Sequence, residues 1–323
     1  MSTKLDQRLF RGLSIYQDVV VAGRTLLRGS RDCPSRWQAI APVLSDCRTV
    51  LDVGSNFGWF GLKFCELKPE GVVASVEADL RSARVQRRVL QSHDQVRICL
   101  LTRPATSRAI RALADHGQRF DAVLCLSVLH WVREHRPFVD ALGRIGTRLI
   151  FEHPDPTEIG AGIESVRREI GPIGPYLARC FPTRPVRCLG QTQSHLQPDR
   201  PREVWLVEPP REGDAAGSLG LIVPALLRLG VSWPPRRWWM DQLGRHAPLP
   251  QSASTGVGGR LLFTHQGIET EGSPCTAKSL RTVRRQIKRI PEQRCLTPRE
   301  WVQRRCRSIA GRTVRLLTVY RRV

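Results

Sequence analysis

The stretch Leu51-Asp52-Val53-Gly54-Ser55-Asn56-Phe57-Gly58-Trp59-Phe60-Gly61 passes from a β-branched, apolar run into residues with helical spacing. Its small residues let the backbone turn sharply and approach a ligand, and a helix start leaves N–H groups free for an anionic group. Nineteen residues beyond Gly58, at the end of the next β-branched run, stands Glu77. A carboxylate at that place can take both hydroxyls of a ribose. The glycine spacing is Gly54-x-x-x-Gly58-x-x-Gly61, which does not fit the G-x-G-x-x-G dinucleotide fingerprint, and no G-x-x-x-x-G-K-[ST] phosphate loop occurs. The plain alternative is a strand–helix turn without a ligand, with Asp52 as a helix cap.

Outward from this turn, strands and helices alternate. Strands are expected at residues 49–53, 71–76, 96–101, 120–126 and 148–151, and helices at 57–67, 80–91, 106–116 and 136–145. Buried apolar strands in such alternation imply a parallel sheet covered on both faces, and right-handed crossovers make it doubly wound. Residues 157–170 suit one more helix. Residues 186–191 and 202–208 are two strand-like runs with no helix between them, so they read as an antiparallel hairpin at the sheet edge, closed by Pro209-Pro210. The expected fold class is α/β: a doubly wound, mostly parallel seven-stranded sheet with an antiparallel terminal hairpin and a basic C-terminal extension. The expected division is an N-terminal extension at residues 1–35, a Rossmann-like domain at 36–208, and a basic region at 209–323 that serves as lid or accessory domain.

LDVGSNFGWFGL, then SVEAD, then FDAVLCLSVLHWV resembles the Rossmann-like, class I S-adenosylmethionine-dependent methyltransferases over roughly residues 36–208. The G-x-N-x-G loop and the LCLSVLHWV strand end are similar to two branches, the FkbM-type sugar O-methyltransferases and the bicoid-interacting, methylphosphate-capping RNA methyltransferases. The resemblance implies S-adenosylmethionine as cofactor. It implies that Asp52 holds the methionine ammonium and that Gly54, Ser55, Asn56 and Gly58 form the loop around the methionine and ribose. Glu77 would bind the ribose hydroxyls, Ala78 and Asp79 would lie beside the adenine, and Ser127, His130 and Trp131 would face the transferred methyl. One departure is plain: the stretch Leu101-Thr102-Arg103-Pro104-Ala105-Thr106 holds no carboxylate for the adenine amine, which leaves backbone groups or Thr102 to do that work.

A hydroxyl acceptor benefits from a general base. His130, at the end of the fourth strand, and Glu152 and His153, after the fifth, all fall at carboxyl ends of strands, where α/β ligand sites lie. His130 beside Trp131 reads equally as a packed residue. Ser194 and His195, in the hairpin loop, either face the pocket or belong to the surface. The expected activity is O-methylation of a sugar, glycolipid or other small polar acceptor. The alternatives are an RNA methyltransferase and a catalytically silent methyltransferase-like binding module.

The chain has 323 residues, 41% hydrophobic and 25% charged, which excludes wholesale disorder. Lys plus Arg number 51 against 29 Asp plus Glu, a net charge of +22, so anionic partners are favoured over cationic ones. Five of the 51 are Lys, and such an Arg bias also fits codon composition. Residues 276–323 alone carry 15 basic and two acidic side chains, and Lys278, Arg281, Arg284, Arg285, Lys288 and Arg289 recur at helical spacing. This region is the expected contact for nucleic acid or an anionic membrane surface, with a solvated helix face as the plain alternative. Residues 296–301 read as a helix start with Thr297 as cap. Trp238 and Trp239 suit a membrane interface, sugar stacking, a lid, or completion of a core. Ten cysteines show no C-x-x-C pair and no Cys/His cluster of zinc type, so no metal site is expected. Without a secretory pattern at the N-terminus or an apolar run of membrane-spanning length, the expected location is a reducing cytoplasm.

Overall fold

The computed structural model describes residues 7–21, 23–93, 97–159, 163–195, 197, 199–210, 220–245, 260–264, 266–272 and 275–290. All of these belong to one compact unit, Met1–Ile290. The helix start expected at Thr297 and most of the basic region lie outside the described residues.

The chain enters through a small antiparallel pair, β1 (Val19–Val21) and β2 (Arg24–Leu27), and then α1 (Cys33–Leu44). Asp32 caps α1 by accepting from the Ser35 N–H, and Pro34 sits in its first turn, where a missing N–H does no harm. The alternating pattern follows: β3 (Thr49–Val53), α2 (Trp59–Leu67), β4 (Val72–Glu77), α3 (Leu80–Gln91), β5 (Ile98–Thr102), α4 (Ser107–Asp115), β6 (Phe120–Leu126), α5 (His135–Ile145) and β7 (Gly146–Glu152). Next come α6 (Ile163–Glu169), α7 (Ile173–Cys180), and the hairpin of β8 (Val186–Thr192) and β9 (Arg202–Val207). The helix expected over 157–170 is shorter, because Asp155 accepts from both the N–H and the hydroxyl of Thr157 and turns the chain first. After β10 (Leu221–Ile222), α8 (Val223–Leu229), β11 (Val231–Trp233), α9 (Arg236–Gly244), β12 (Arg260–Thr264) and β13 (Gly267–Glu271), the described chain ends with α10 (Ala277–Arg289).

The large sheet has the order β11-β5-β4-β3-β6-β7-β9-β8. β5, β4, β3, β6 and β7 are parallel, and β9 inserts antiparallel between β7 and β8. The expected seven strands are all present. An eighth, β11, pairs antiparallel with β5 at the opposite edge. Strand residues alternate between two cores: Leu51, Val53, Ala74 and Val76 face one layer, and Val50, Val73, Leu100 and Leu124 face the other. Burial on both faces is why these strands read as continuous apolar runs. Trp239 completes the first core against Trp238 and Phe263, the packing alternative for that tryptophan pair. Cys99 and Cys125 are wholly buried within strands and act as small hydrophobes.

Strand order reverses between β3 and β6, which carry the crevice where ligands of such sheets bind.

Candidate active site

A cavity of about 630 Å³ opens at the carboxyl ends of β3, β4 and β6. One side of it is built by the turn quoted at the outset. The Gly54 and Ser55 N–H groups both donate to the carbonyl of Val76 (2.8 and 3.2 Å), tying the turn to the neighbouring strand. Gly54 has φ of +70°, and a Cβ there would stand 2.5 Å from a methyl of Val128, so glycine is required twice over. Asn56 also lies in the left-handed region. Gly58 caps α2 at φ +85° and packs on Gln86, whose carbonyl oxygen accepts from the Ser55 hydroxyl at 2.8 Å. Ser55 and Gly58 therefore shape the loop from behind, while Gly54 and Asn56 line the cavity.

Glu77 ends β4 facing the same space. Its two oxygens accept from the Asn56 N–H and the Asp79 N–H, each at 2.7 Å, which fixes the carboxylate and leaves further lone pairs toward the cavity. Burial raises its pKa against those two bonds. Ala78 and Asp79 line the wall beside it; the Asp79 carboxylate is occupied in capping α3 through Ser82. Asp52 is buried behind the loop, and its Oδ2 has no hydrogen-bond partner. Burial first, and the charge of Glu77 second, push its pKa up to about 7. A buried carboxyl with a free oxygen beside a fixed carboxylate is a site that wants a cation or a donor. On the β5 side, Pro104 and Ala105 line the cavity, and the Thr102 hydroxyl is taken by Ser232 of β11 (2.7 Å).

The other side is drawn from distant parts of the chain: Tyr16 before β1, Ser127 and His130 after β6, His195 in the hairpin loop, and Arg202 at the start of β9. Ser127 is held at φ +57°, and its hydroxyl donates to Glu152 (2.8 Å) and accepts from Arg202 (3.1 Å). Glu152 is fully buried. Arg31 and Arg36 both pair with it, and Thr192 donates to it at 3.0 Å. Burial would raise Glu152, but Arg36, Arg31 and the Ser127 hydroxyl outweigh it and hold the pKa at about 2. Arg202 makes a two-pronged pair with Glu158 (2.8 and 2.7 Å), which also accepts from Ser194. Ser194 is thus buried structure, and its neighbour His195 is the one that faces the cavity.

Of the three catalytic candidates, His130 lines the cavity, whereas Glu152 and His153 lie behind the wall. The His130 and His153 rings are 6.1 Å apart. Burial, and then Arg202, lower His130 to about 4; burial, Arg202 and Arg31 do the same to His195. His153 is pushed well below its ordinary value, mainly by burial and by His130. All three rings are uncharged at neutral pH. Trp131 stands at the cavity wall with 68% of its surface exposed. Sequence reasoning missed Tyr16, Arg31, Arg36 and Arg202. Among the described residues, no group of His, Cys, Asp and Glu side chains is arranged to hold a metal ion, and no helix is long and apolar enough to cross a membrane.

At the level of sequence, no family model and no curated relative matches. Solved structures do. WbdD, a bifunctional kinase-methyltransferase, superimposes with a TM-score of 0.52 at 17% identity over 79% of this chain and 64% of that one. WbdD bound to the kinase inhibitor LY294002 gives 0.53 with the same identity and coverage. The N-terminal domain of EvdMO1 with SAH bound matches 65% of this chain and 100% of that one, at 16% identity and a TM-score of 0.46. The chain spans less than two thirds of the WbdD length. With the strand order and the β3–α2 turn, the WbdD likeness gives this chain the fold of the class I methyltransferases.

Proposed function

We propose that the protein is an S-adenosylmethionine-dependent methyltransferase that methylates an oxygen of a small polar acceptor, the class that includes sugars and glycolipids. The observation that carries this reading is a backbone-fixed Glu77 on the cavity wall together with a buried, partly unpartnered Asp52 behind the glycine turn. Glu77 would take the ribose hydroxyls, Asp52 the methionine ammonium, and the Gly54–Asn56 backbone the space between. Pro104 and Ala105 offer an apolar face for the adenine. S-adenosylmethionine supplies a methyl group already activated by a positively charged sulfur. What remains for the protein is to hold the acceptor oxygen in line, and positioning of that kind contributes roughly 7–11 kcal/mol at its upper limit. His130, uncharged and on the wall, would orient that oxygen by hydrogen bonding. Glu152, held ionised by two arginines, would fix Ser127 and the arginine cluster, and His153 would back the His130 ring.

Incubation with S-adenosylmethionine labelled in its methyl group and a fractionated cell extract tests the reading. Label should appear in a small polar or glycolipid fraction. No label in any fraction, from a protein that also takes up no S-adenosylmethionine, would favour the silent binding module. The exposed cations of α10, Lys278, Arg281, Arg285, Lys288 and Arg289, favour a second reading, an RNA methyltransferase. That reading requires label in RNA and retention that weakens steeply with salt.

A further inference from the structure

The β9 side of the cavity carries more positive charge than its own carboxylates balance. Arg31, Arg36 and Arg202 lie in one buried network with Glu152 and Glu158: three guanidiniums against two carboxylates. Two further carboxyls feel these arginines from outside the buried network: Asp32, exposed and occupied in capping α1, and Asp52, whose pKa burial and Glu77 push up to about 7. Buried charges are ordinarily paired, and a surplus guanidinium without an anion is expensive to keep. Arg202 is the member of the network that reaches the cavity wall.

Around it stand polar atoms without partners. The Tyr16 hydroxyl is buried and unbonded, and lies within electrostatic reach of all three guanidiniums. The Tyr16 and His195 rings meet edge to face at 5.0 Å, joining the N-terminal segment to the hairpin loop. His195 Nδ1 and His130 Nδ1 are likewise buried and unbonded. Four steps in the strand order separate the Arg202 strand from that of Glu77, about 19 Å at ordinary strand spacing. This cluster is therefore separate from the groups assigned to the ribose and the methionine.

Resting on the methyltransferase reading, we propose that the acceptor carries a carboxylate or a phosphate, and that Arg202, Tyr16 and His195 bind that oxyanion on the β9 side of the cavity. An oxyanion supplies the missing negative charge and accepts from the phenol, the guanidinium and a ring N–H together. A neutral polyol leaves the surplus charge unanswered.

The test is a titration of the SAH-loaded protein with sodium acetate, inorganic phosphate and glucose at constant ionic strength. Histidine ring resonances are followed by NMR, and SAH binding is read separately by calorimetry. We expect acetate, phosphate or both to saturate in the millimolar range and to raise the pH midpoints of at least two histidines; which of the two saturates distinguishes a carboxylate from a phosphate acceptor. Tyr16→Phe should weaken that binding three- to tenfold and Arg202→Gln at least tenfold, with Arg202→Lys recovering part of it. Glucose should leave the resonances in place. A protein that binds SAH but shows no saturable anion effect, or one perturbed as strongly by glucose, overturns the inference while the methyltransferase reading stands. A protein that takes up no SAH overturns both.

Discussion

The two sides of the cavity are built on opposite plans. The Glu77 side comes from one contiguous turn and the end of the adjacent strand, and its fixing bonds are backbone N–H groups donated to a carboxylate. The β9 side is assembled from distant places in the chain, and its fixing bonds run between side chains, ion pairs bridged by the Ser127 hydroxyl. The first plan yields a rigid cradle whose shape depends on local backbone geometry. The second yields a wall whose shape depends on charge balance and can change when a single side chain changes. On the proposed methyltransferase reading, local geometry would serve the common cofactor and long-range side-chain pairing the particular acceptor.

The comparison breaks first at Glu152. Glu152→Ala leaves Arg31 and Arg36 buried against each other without a carboxylate, and removing one partner of a buried pair costs about 3–5 kcal/mol. Denaturant unfolding at pH 7 should show a loss of that size. In the native protein Glu152 sits near 2, below its unfolded value of 4.5. Its contribution is therefore complete above pH 4.5 and lost as pH falls from there toward 2, and acid unfolding of wild type should steepen in that window.

Asp52 sharpens the contrast from the other side, because its pKa is raised rather than lowered. The native state holds the Asp52 proton that the unfolded chain releases near 3.8, so this group's contribution to stability declines as pH rises from 3.8 to about 7. Asp52→Asn should thus be more stable than wild type above pH 7. The same variant should bind S-adenosylmethionine about tenfold more weakly, the loss expected when a charge-assisted bond becomes a neutral one. In wild type the affinity should fall by up to about tenfold per pH unit below 7, as Asp52 takes up its proton, and Asp52→Asn should flatten that slope. A slope that persists in the variant would assign the titration to another group.

Trp131 gives the smallest effect. With most of its ring exposed, Trp131→Ala should change stability by less than about 0.5 kcal/mol. Any consequence should appear in the KM for the acceptor and not in uptake of the donor.

The same division decides how far the molecule is legible from sequence. β3 and β6 and the helix α3 have the expected bounds, because apolar runs and an N-cap at Asp79 mark them locally. Gly54, Asn56 and Glu77 were readable for the same reason: they lie within one strand–turn–helix–strand unit. Arg31, Arg36 and Arg202 were not, since nothing adjacent in sequence tells a buried arginine from the many exposed ones in so Arg-rich a chain. Tyr16 falls in a stretch with no periodicity. The one missed local signal is Asp32-Cys33-Pro34, a cap followed by a first-turn proline, which announces α1 and with it the place of Arg36. β11 escaped because its three residues are too few to show a strand's period, and their pairing with β5 is visible only in the sheet.

The central claim is that Glu77, held by two backbone N–H groups, grips the ribose of an S-adenosyl ligand. Calorimetric titration of SAH into wild type and Glu77→Ala, each checked for native unfolding behaviour, tests it most directly. The account predicts saturable binding to wild type and a loss of about 100-fold in the variant, equivalent to about 2.7 kcal/mol. Equal binding to both proteins, or none to wild type, would contradict it.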